Sequence, residues 1–319
     1  MKLQTQISIT PQNNQIDYEG KLLLLGSCFS ENIGNKLNYY KFPNCINPFG
    51  IIFNPVSLEN LINRALTDTL FTETDVFEKE GIYHSLQVHS LVSSAHKEDY
   101  LRYLNTQLGL LKEYLSTASH LIITLGTSWV YRLIETRTIV ANCHKIPQQE
   151  FSKELLSQAE VTASIQRTMA AVHKMNPMCQ LIFTVSPVRH IKDGLSENSV
   201  SKAHLRSAIH TLVTSNTNVH YFPAFEIMMD ELRDYRFYSS DMLHPNETAI
   251  EIIWGKFCEV WVSSSTKPLQ KEIDIIQKGL AHRPFHPERK EHLEFIKQLQ
   301  QRIDKLQISH PSIEFSSPQ

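Results

Sequence analysis

Lys21-Leu22-Leu23-Leu24-Leu25-Gly26-Ser27-Cys28-Phe29-Ser30 joins a short apolar run to a turn of glycine and small polar residues, and Glu31 to Leu37 follows with helical spacing. A run this brief and this apolar reads as a strand buried on both faces, the habit of parallel sheets. The turn presents a side chain at the strand's carboxyl end, where open α/β sheets bind ligands. It also lies at a helix N-terminus, whose N–H groups favour developing negative charge. More than two hundred residues later, Asp241-Met242-Leu243-His244-Pro245 sets a carboxylate three residues before a histidine. Acyl transfer by a side-chain nucleophile needs a base and a group that orients the base. Ser27 or Cys28, His244 and Asp241 have those three chemistries.

Working outward, His120–Leu125, Leu181–Val185 and Val219–Phe222 repeat the short apolar pattern, each followed by Gly, Ser, Pro or Ala. Helical spacing over Glu98–Ser116, Gln149–Met175, Lys202–Thr214 and Glu247–Val262 lies between and after them. Alternating strands and helices imply a doubly wound α/β sheet with right-handed crossovers. Residues 44–97 interrupt the rhythm with Asn47-Pro48-Phe49-Gly50, a short helix near Ser57–Ala65 and a polar stretch. A connection that long reads as an inserted lid or site wall. The catalytic domain is therefore set at 1–262. Residues 263–319 form a linker, a helical appendage and a tail, Ser309–Gln319, expected to be disordered. In the appendage, Leu293, Ile296, Leu299, Ile303 and Leu306 make one narrow stripe over Glu288–Leu306. It suits docking on its own domain or a homodimer contact through this C-terminal helix.

The chain has 319 residues, enough for one generous core. Its 31 Lys and Arg against 33 Asp and Glu leave a net charge of −2, which argues against nucleic acid as a partner. No run approaches the length of a membrane span and the first residues lack a secretory h-region, so the expectation is a cytoplasmic protein with no membrane partner. Five cysteines without a CxxC pair indicate neither a disulfide framework nor a structural zinc site.

Several blocks in order carry a resemblance. Leu24-Leu25-Gly26-Ser27-Cys28-Phe29-Ser30-Glu31-Asn32-Ile33-Gly34, Asn47-Pro48-Phe49-Gly50, Gly126-Thr127-Ser128-Trp129-Val130-Tyr131, Ala141-Asn142-Cys143-His144-Lys145, Ser186-Pro187-Val188-Arg189-His190 and Asp241-Met242-Leu243-His244-Pro245 resemble the GSCFA-domain family, which is related to the SGNH (GDSL-type) hydrolases. The likeness spans roughly residues 20 to 262. It implies a three-layer α/β/α, flavodoxin-like (SGNH-type) parallel sheet. It also implies a hydrolase or acyltransferase acting on an ester or thioester, including O-acyl groups on glycans. Set against Gly-Asp-Ser, Gly26-Ser27-Cys28 puts Cys28 on the nucleophile, with Ser27 reachable by a shift of one. The resemblance further implies oxyanion donors at Gly50 and at Ser128, where relatives have Asn. A hydroxyl donates one hydrogen bond where an amide donates two, so a catalytically degenerate glycan- or peptide-binding module is the rival reading.

Around these residues, Arg189 and His190 follow the Leu181–Val185 run at the same sheet edge. Arg189 suits a substrate carboxylate or phosphate, held in bidentate fashion, or an ion pair with an acid such as Glu197. His144, ending the strand-like Thr138–Ala141, and His84 are further substrate-binding candidates. The spacing of His84 and His89 is not that of two ligands on one helix face, so no metal is expected. No glycine-rich phosphate loop is present, so no cofactor is expected either. A thiol at position 28 is expected to ionise readily beside an imidazole and a helix N-terminus.

Overall fold

The computed structural model describes residues 5–316. The first half runs β1 (Leu22–Gly26), α1 (Cys28–Tyr39), β2 (Asn44–Ile46), α2 (Pro55–Leu66), β3 (Phe77–Lys79), β4 (Ile82–His84), α3 (Lys97–Thr117), β5 (His120–Leu125) and β6 (Trp129–Leu133). Then come β7 (Ile139–Val140), β8 (Phe151–Leu155), α4 (Gln158–Met175), β9 (Gln180–Val185), α5 (Leu195–Val213), β10 (Val219–Tyr221), α6 (Ala224–Glu226), α7 (Glu247–Trp261), α8 (Lys267–Ala281) and α9 (Lys290–Ser309). Five parallel strands form the central sheet in the order β10-β9-β5-β1-β2.

The strand side chains alternate between two cores, which is why the strands are apolar throughout. Leu23, Leu25, Leu121, Ile123, Leu181 and Phe183 face a layer built by α2, α3, α4 and α5. Leu22, Leu24, Ile122 and Ile182 face the other layer, where α1 and α7 supply Phe29, Ile33, Ile253 and Phe257. The architecture is three-layer α/β/α. Each β1 leucine so buried contributes about 1.5–3 kcal/mol of transfer free energy.

Three stretches differ from the sequence expectation. Within residues 44–97, β2 is the sheet's edge strand and Leu58, Leu61, Ile62 and Ala65 of α2 are buried in the helix layer, so the first part of the stretch belongs to the core, while Ile51, Phe53 and Asn54 wall a cleft. Only the link between those elements reaches the ligand edge. The pattern over Gln149–Met175 is not one helix. Phe151–Leu155 pairs antiparallel with β6 in a three-stranded accessory sheet, and α4 starts where Ser157 and Glu160 form a capping box. In the tail, finally, Ile313 is buried and joins Ile273, Ile276, Leu299, Ile303 and Leu306 in a small core between α8 and α9, while Pro311, Ser312 and Glu314 beside it are exposed. Residues 317–319 of the expected disordered segment lie outside the described residues. The α9 stripe thus covers α8, which is tied to α1 by a hydrogen bond from the Tyr39 hydroxyl to Asp274 at 2.9 Å. Among the described residues no helix is long and apolar enough to cross a membrane.

Candidate active site

At the carboxyl end of β1 the backbone permits only glycine. Gly26 has φ +128°, and a Cβ there would lie 2.1 Å from the Thr124 carbonyl oxygen. Its N–H donates to Asn47 Oδ1 at 2.8 Å, tying β1 to the chain after β2. Ser27 follows as the N-cap of α1. It is wholly buried, and its Oγ accepts from the Phe29 N–H at 3.3 Å. Cys28 is the first helical residue, half-buried, and lines a cleft of about 800 Å³. Burial pushes its thiol up and Glu31 adds to the rise, while Lys202 and the N–H groups of Cys28 and Phe29 pull the other way without prevailing. The thiol therefore rests protonated at neutral pH, against the expectation of a readily ionised one. Desolvation outweighs the helix terminus here.

The opposite arm is a tight loop before α7. Met242 takes φ +60°, which folds the chain so that Asp241 Oδ1 accepts from the N–H groups of Leu243 at 2.9 Å and His244 at 3.0 Å. Asp241 Oδ2 accepts from His244 Nδ1 at 2.6 Å. The two backbone donors and then the imidazole hold the Asp241 carboxyl down at about 2, so it stays ionised. With Nδ1–H given to Asp241, His244 keeps Nε2 as a proton acceptor. Its side chain is 46 % exposed and lines the same cleft as Cys28.

Between the arms lie Arg189 and His190, after β9, also lining the cleft. Arg189 forms no ion pair with Glu197 or with any other carboxylate among the described residues; its Nη2 lies 2.9 Å from Met229 Sδ. Burial, then Lys202, pushes His190 down to about 4, so its ring is neutral at pH 7, and its buried Nε2 has no partner among the described residues. The ring packs edge-on against Phe53. Gly126, after β5, completes this junction: a Cβ there would meet Phe53 at 2.9 Å and His190 Nε2 at 3.2 Å. Three strand-end segments thus meet with no room for a side chain.

Four other candidates stand elsewhere. Gly50 sits in a turn with φ +73°, gives its N–H to Asn47 O at 2.7 Å and borders a small apolar cavity and not the cleft. Ser128 is buried, with its N–H on Ser201 Oγ at 2.8 Å and its hydroxyl on Ser201 O at 3.1 Å; its neighbours Thr127 and Trp129 face the cleft instead. His144 is buried behind the wall that Asn142 and Cys143 provide, its Nε2 2.8 Å from Ser85 O, and burial pushes it down to about 4. His84 packs against His144 with the rings tilted by 47° and their centres 4.9 Å apart. Among the described residues, no group of three or more His, Cys, Asp or Glu side chains could hold a metal ion.

Sequence reasoning missed Lys202, which is 2 % exposed and donates to the carbonyls of Gly126 and Ser186, each at 2.7 Å. A signal was present. Asn198, Ser201 and Lys202 continue the buried stripe of Leu205, Ala208, Ile209 and Leu212 along α5, and a polar extension of an apolar stripe marks buried polar work.

Comparison with known proteins agrees with the blocks read above. The model of the GSCFA family matches residues 21–257, and that of the GSCFA domain protein, C-terminal domain, matches residues 273–318. Among curated proteins none matches the chain. The first match begins at β1 and ends inside α7, so it takes in both arms of the cleft: the chain belongs to the GSCFA family.

Proposed function

We propose that the protein is a hydrolase or acyltransferase that acts on an ester or thioester through an acyl-enzyme on Cys28, as its resemblance to SGNH hydrolases implies. The observation that carries this reading is that Cys28 and an Asp241-oriented His244 line one cleft. Cys28 Sγ attacks the acyl carbonyl carbon, and the thiol proton passes to His244 Nε2 as the sulfur–carbon bond forms. His244 then returns that proton to the departing oxygen or sulfur. Water, activated by the same imidazole, completes hydrolysis; a sugar hydroxyl in its place completes transfer. Because the thiol rests protonated, general-base catalysis is required and a standing thiolate is not the nucleophile. Ser27 is disfavoured because its hydroxyl is buried as a cap.

The substrate is a small-molecule or glycan ester. Apolar side chains such as Ile51, Phe53, Val140, Phe151 and Val188 wall the cleft and suit the acyl portion, and Arg189 suits an anionic group. We assign the protein to the cytoplasm, where its five free cysteines would persist as thiols. The rival reading, a binding module without turnover, draws support from the engaged N–H of Gly50 and hydroxyl of Ser128. An activated acyl probe decides between them. Stoichiometric acylation of Cys28, lost in His244→Ala, supports the enzyme; no labelling of Cys28 above the rate of the other cysteines supports the binding module.

A further inference from the structure

The accessory sheet turns one face to the cleft. Residues paired across an antiparallel ladder point to the same side, and the register sets Tyr131 opposite Val140 and Lys153, and Leu133 opposite Phe151. Trp129, Tyr131, Val140 and Phe151 therefore share a face, and all four line the same cleft as Cys28 and His244. Arg132 and Glu154, paired with each other at 2.9 Å, lie on the opposite face. The segment after β9 fixes the cleft-facing side in place. Lys153 Nζ lies 2.6 Å from Asp193 Oδ1 and 4.7 Å from the centre of the Trp129 ring, and Trp129 Nε1 donates to Glu197 O at 3.4 Å. Tyr131 meets Phe151 edge-on, with ring centres 6.5 Å apart.

What this wall can hold follows from what its groups have left to offer. Val140 and Phe151 are buried although they line the cleft, so the wall is a recess and not an open surface. The polar side chains beside it are already engaged. Thr127 Oγ1 is 3.0 Å from Ser201 Oγ and accepts from the Trp129 N–H at 3.0 Å, Asn142 Oδ1 accepts from the His144 N–H at 2.9 Å, and Asp193 is paired with Lys153. One face of the Trp129 ring is covered by the Lys153 ammonium. A sugar ring needs several free hydrogen-bond partners, because its hydroxyls lose water on entering. A linear hydrocarbon needs none and gains from each methylene it buries. The cleft, at about 800 Å³, lies within the roughly 300–1,000 Å³ of sites that enclose most of a ligand, and a short acyl group would leave most of it unfilled.

We propose that the accessory sheet is the acyl-chain site of this cleft: the face of Trp129, Tyr131, Val140 and Phe151 holds a linear apolar chain, selects medium-length over short acyl groups, and sets the permitted length at Val140. This rests on the function proposed above, with Cys28 of the same cleft taking the carbonyl end of the chain. Val140 is the small member of the face and stands opposite Tyr131 in the ladder, so a larger side chain there fills the recess that the chain enters.

Binding of the free acids tests the site without requiring that any ester be turned over. Butanoate, hexanoate and octanoate are titrated by calorimetry into the parent and into Val140→Trp. In the parent the affinity should rise about threefold to fourfold with each methylene, and in Val140→Trp that rise should be lost. Equal affinities for the three acids in the parent, or the parent's rise retained in the variant, overturn the proposal. Should Val140→Trp fail to fold, tryptophan fluorescence locates the chain in the parent. The other two tryptophans, Trp254 and Trp261, are buried in the α7 layer on the far side of the sheet. Octanoate carrying a bromine at its far end should quench Trp129 saturably, with reversal by plain octanoate and no such quenching in Trp129→Phe. Binding of the bromo acid that leaves the parent's fluorescence unquenched overturns the proposal equally. If affinity rises with chain length but no acyl probe labels Cys28, the proposed function fails and the acyl-chain site stands. If Cys28 is acylated but the three acids bind alike, the site fails and the function stands.

Discussion

The Asp241–His244 loop makes its hydrogen bonds within itself, whereas the Cys28 turn is held by Asn47 and Thr124 from two other parts of the chain. The first arm is half exposed and keeps its carboxylate ionised; the second is desolvated and keeps its thiol protonated. Local contacts thus tune the base, and long-range burial tunes the nucleophile. Substitutions in the loop should therefore change chemistry and spare the fold. Substitutions in the turn should do the reverse unless they touch Cys28 itself.

The largest effect is expected from Asp241→Asn. An amide neither enforces the Nδ1–H tautomer nor balances imidazolium charge, so acylation of Cys28 by an activated ester should slow on the order of 10²- to 10⁴-fold, by analogy with serine-protease triads. The denaturation midpoint should fall only slightly, because Asp241 is exposed and an amide oxygen can still accept from the Leu243 and His244 N–H groups. Stopped-flow acylation alongside urea unfolding checks both halves, and near-parent acylation would break the contrast by reducing Asp241 to a turn cap.

Next in size, Gly26→Ala must force a side chain toward the Thr124 carbonyl at a backbone angle L residues rarely adopt. Strain of this kind with overpacking costs about 3–5 kcal/mol. Urea titration should show a much lower midpoint with an unchanged slope. A stable Gly26→Ala protein would mean the turn is far more plastic than its contacts imply.

The exposed loop and the buried junction between the arms should also part company in acid. His190 has a folded pKa of about 4 against 6.5 for an ordinary histidine. The unfolded chain therefore takes up its proton first, and stability falls as pH drops from 6.5 to 4, by on the order of 3 kcal/mol. His190→Gln should flatten that window. Asp241, depressed to about 2, contributes stability that is present above about 3.8 and lost only as pH falls toward 2. Asp241→Asn should consequently leave the 6.5-to-4 slope unchanged. Thermal melts of both variants across pH test the pair, and equal slopes for His190→Gln and the parent would refute the burial argument.

The smallest change is Ser27→Ala. Removing an N-cap hydroxyl costs about 1 kcal/mol, and acylation of Cys28 should persist. A dead but folded Ser27→Ala would shift the nucleophile by one residue and undo the assignment of roles within the turn.

The sequence by itself determined the sheet and one arm of the cleft. Leu22–Leu25, His120–Leu125 and Leu181–Val185 are apolar on both faces because the parallel strands they form are covered on both faces, so composition alone reports them. Asp241 and His244 were legible as a pair because their contact spans three residues, a distance that local spacing encodes. Tertiary structure decided the rest. Phe151–Leu155 became a strand because β6 offered it an edge, a partner no window of sequence contains. Ser128 turned away because Ser201 of a distant helix takes its hydrogen bonds, and Lys202 entered the site because α5 crosses the strand ends at that turn. The protonation of Cys28 follows from desolvation, which depends on every element packed around the thiol and so appears only once the chain has folded.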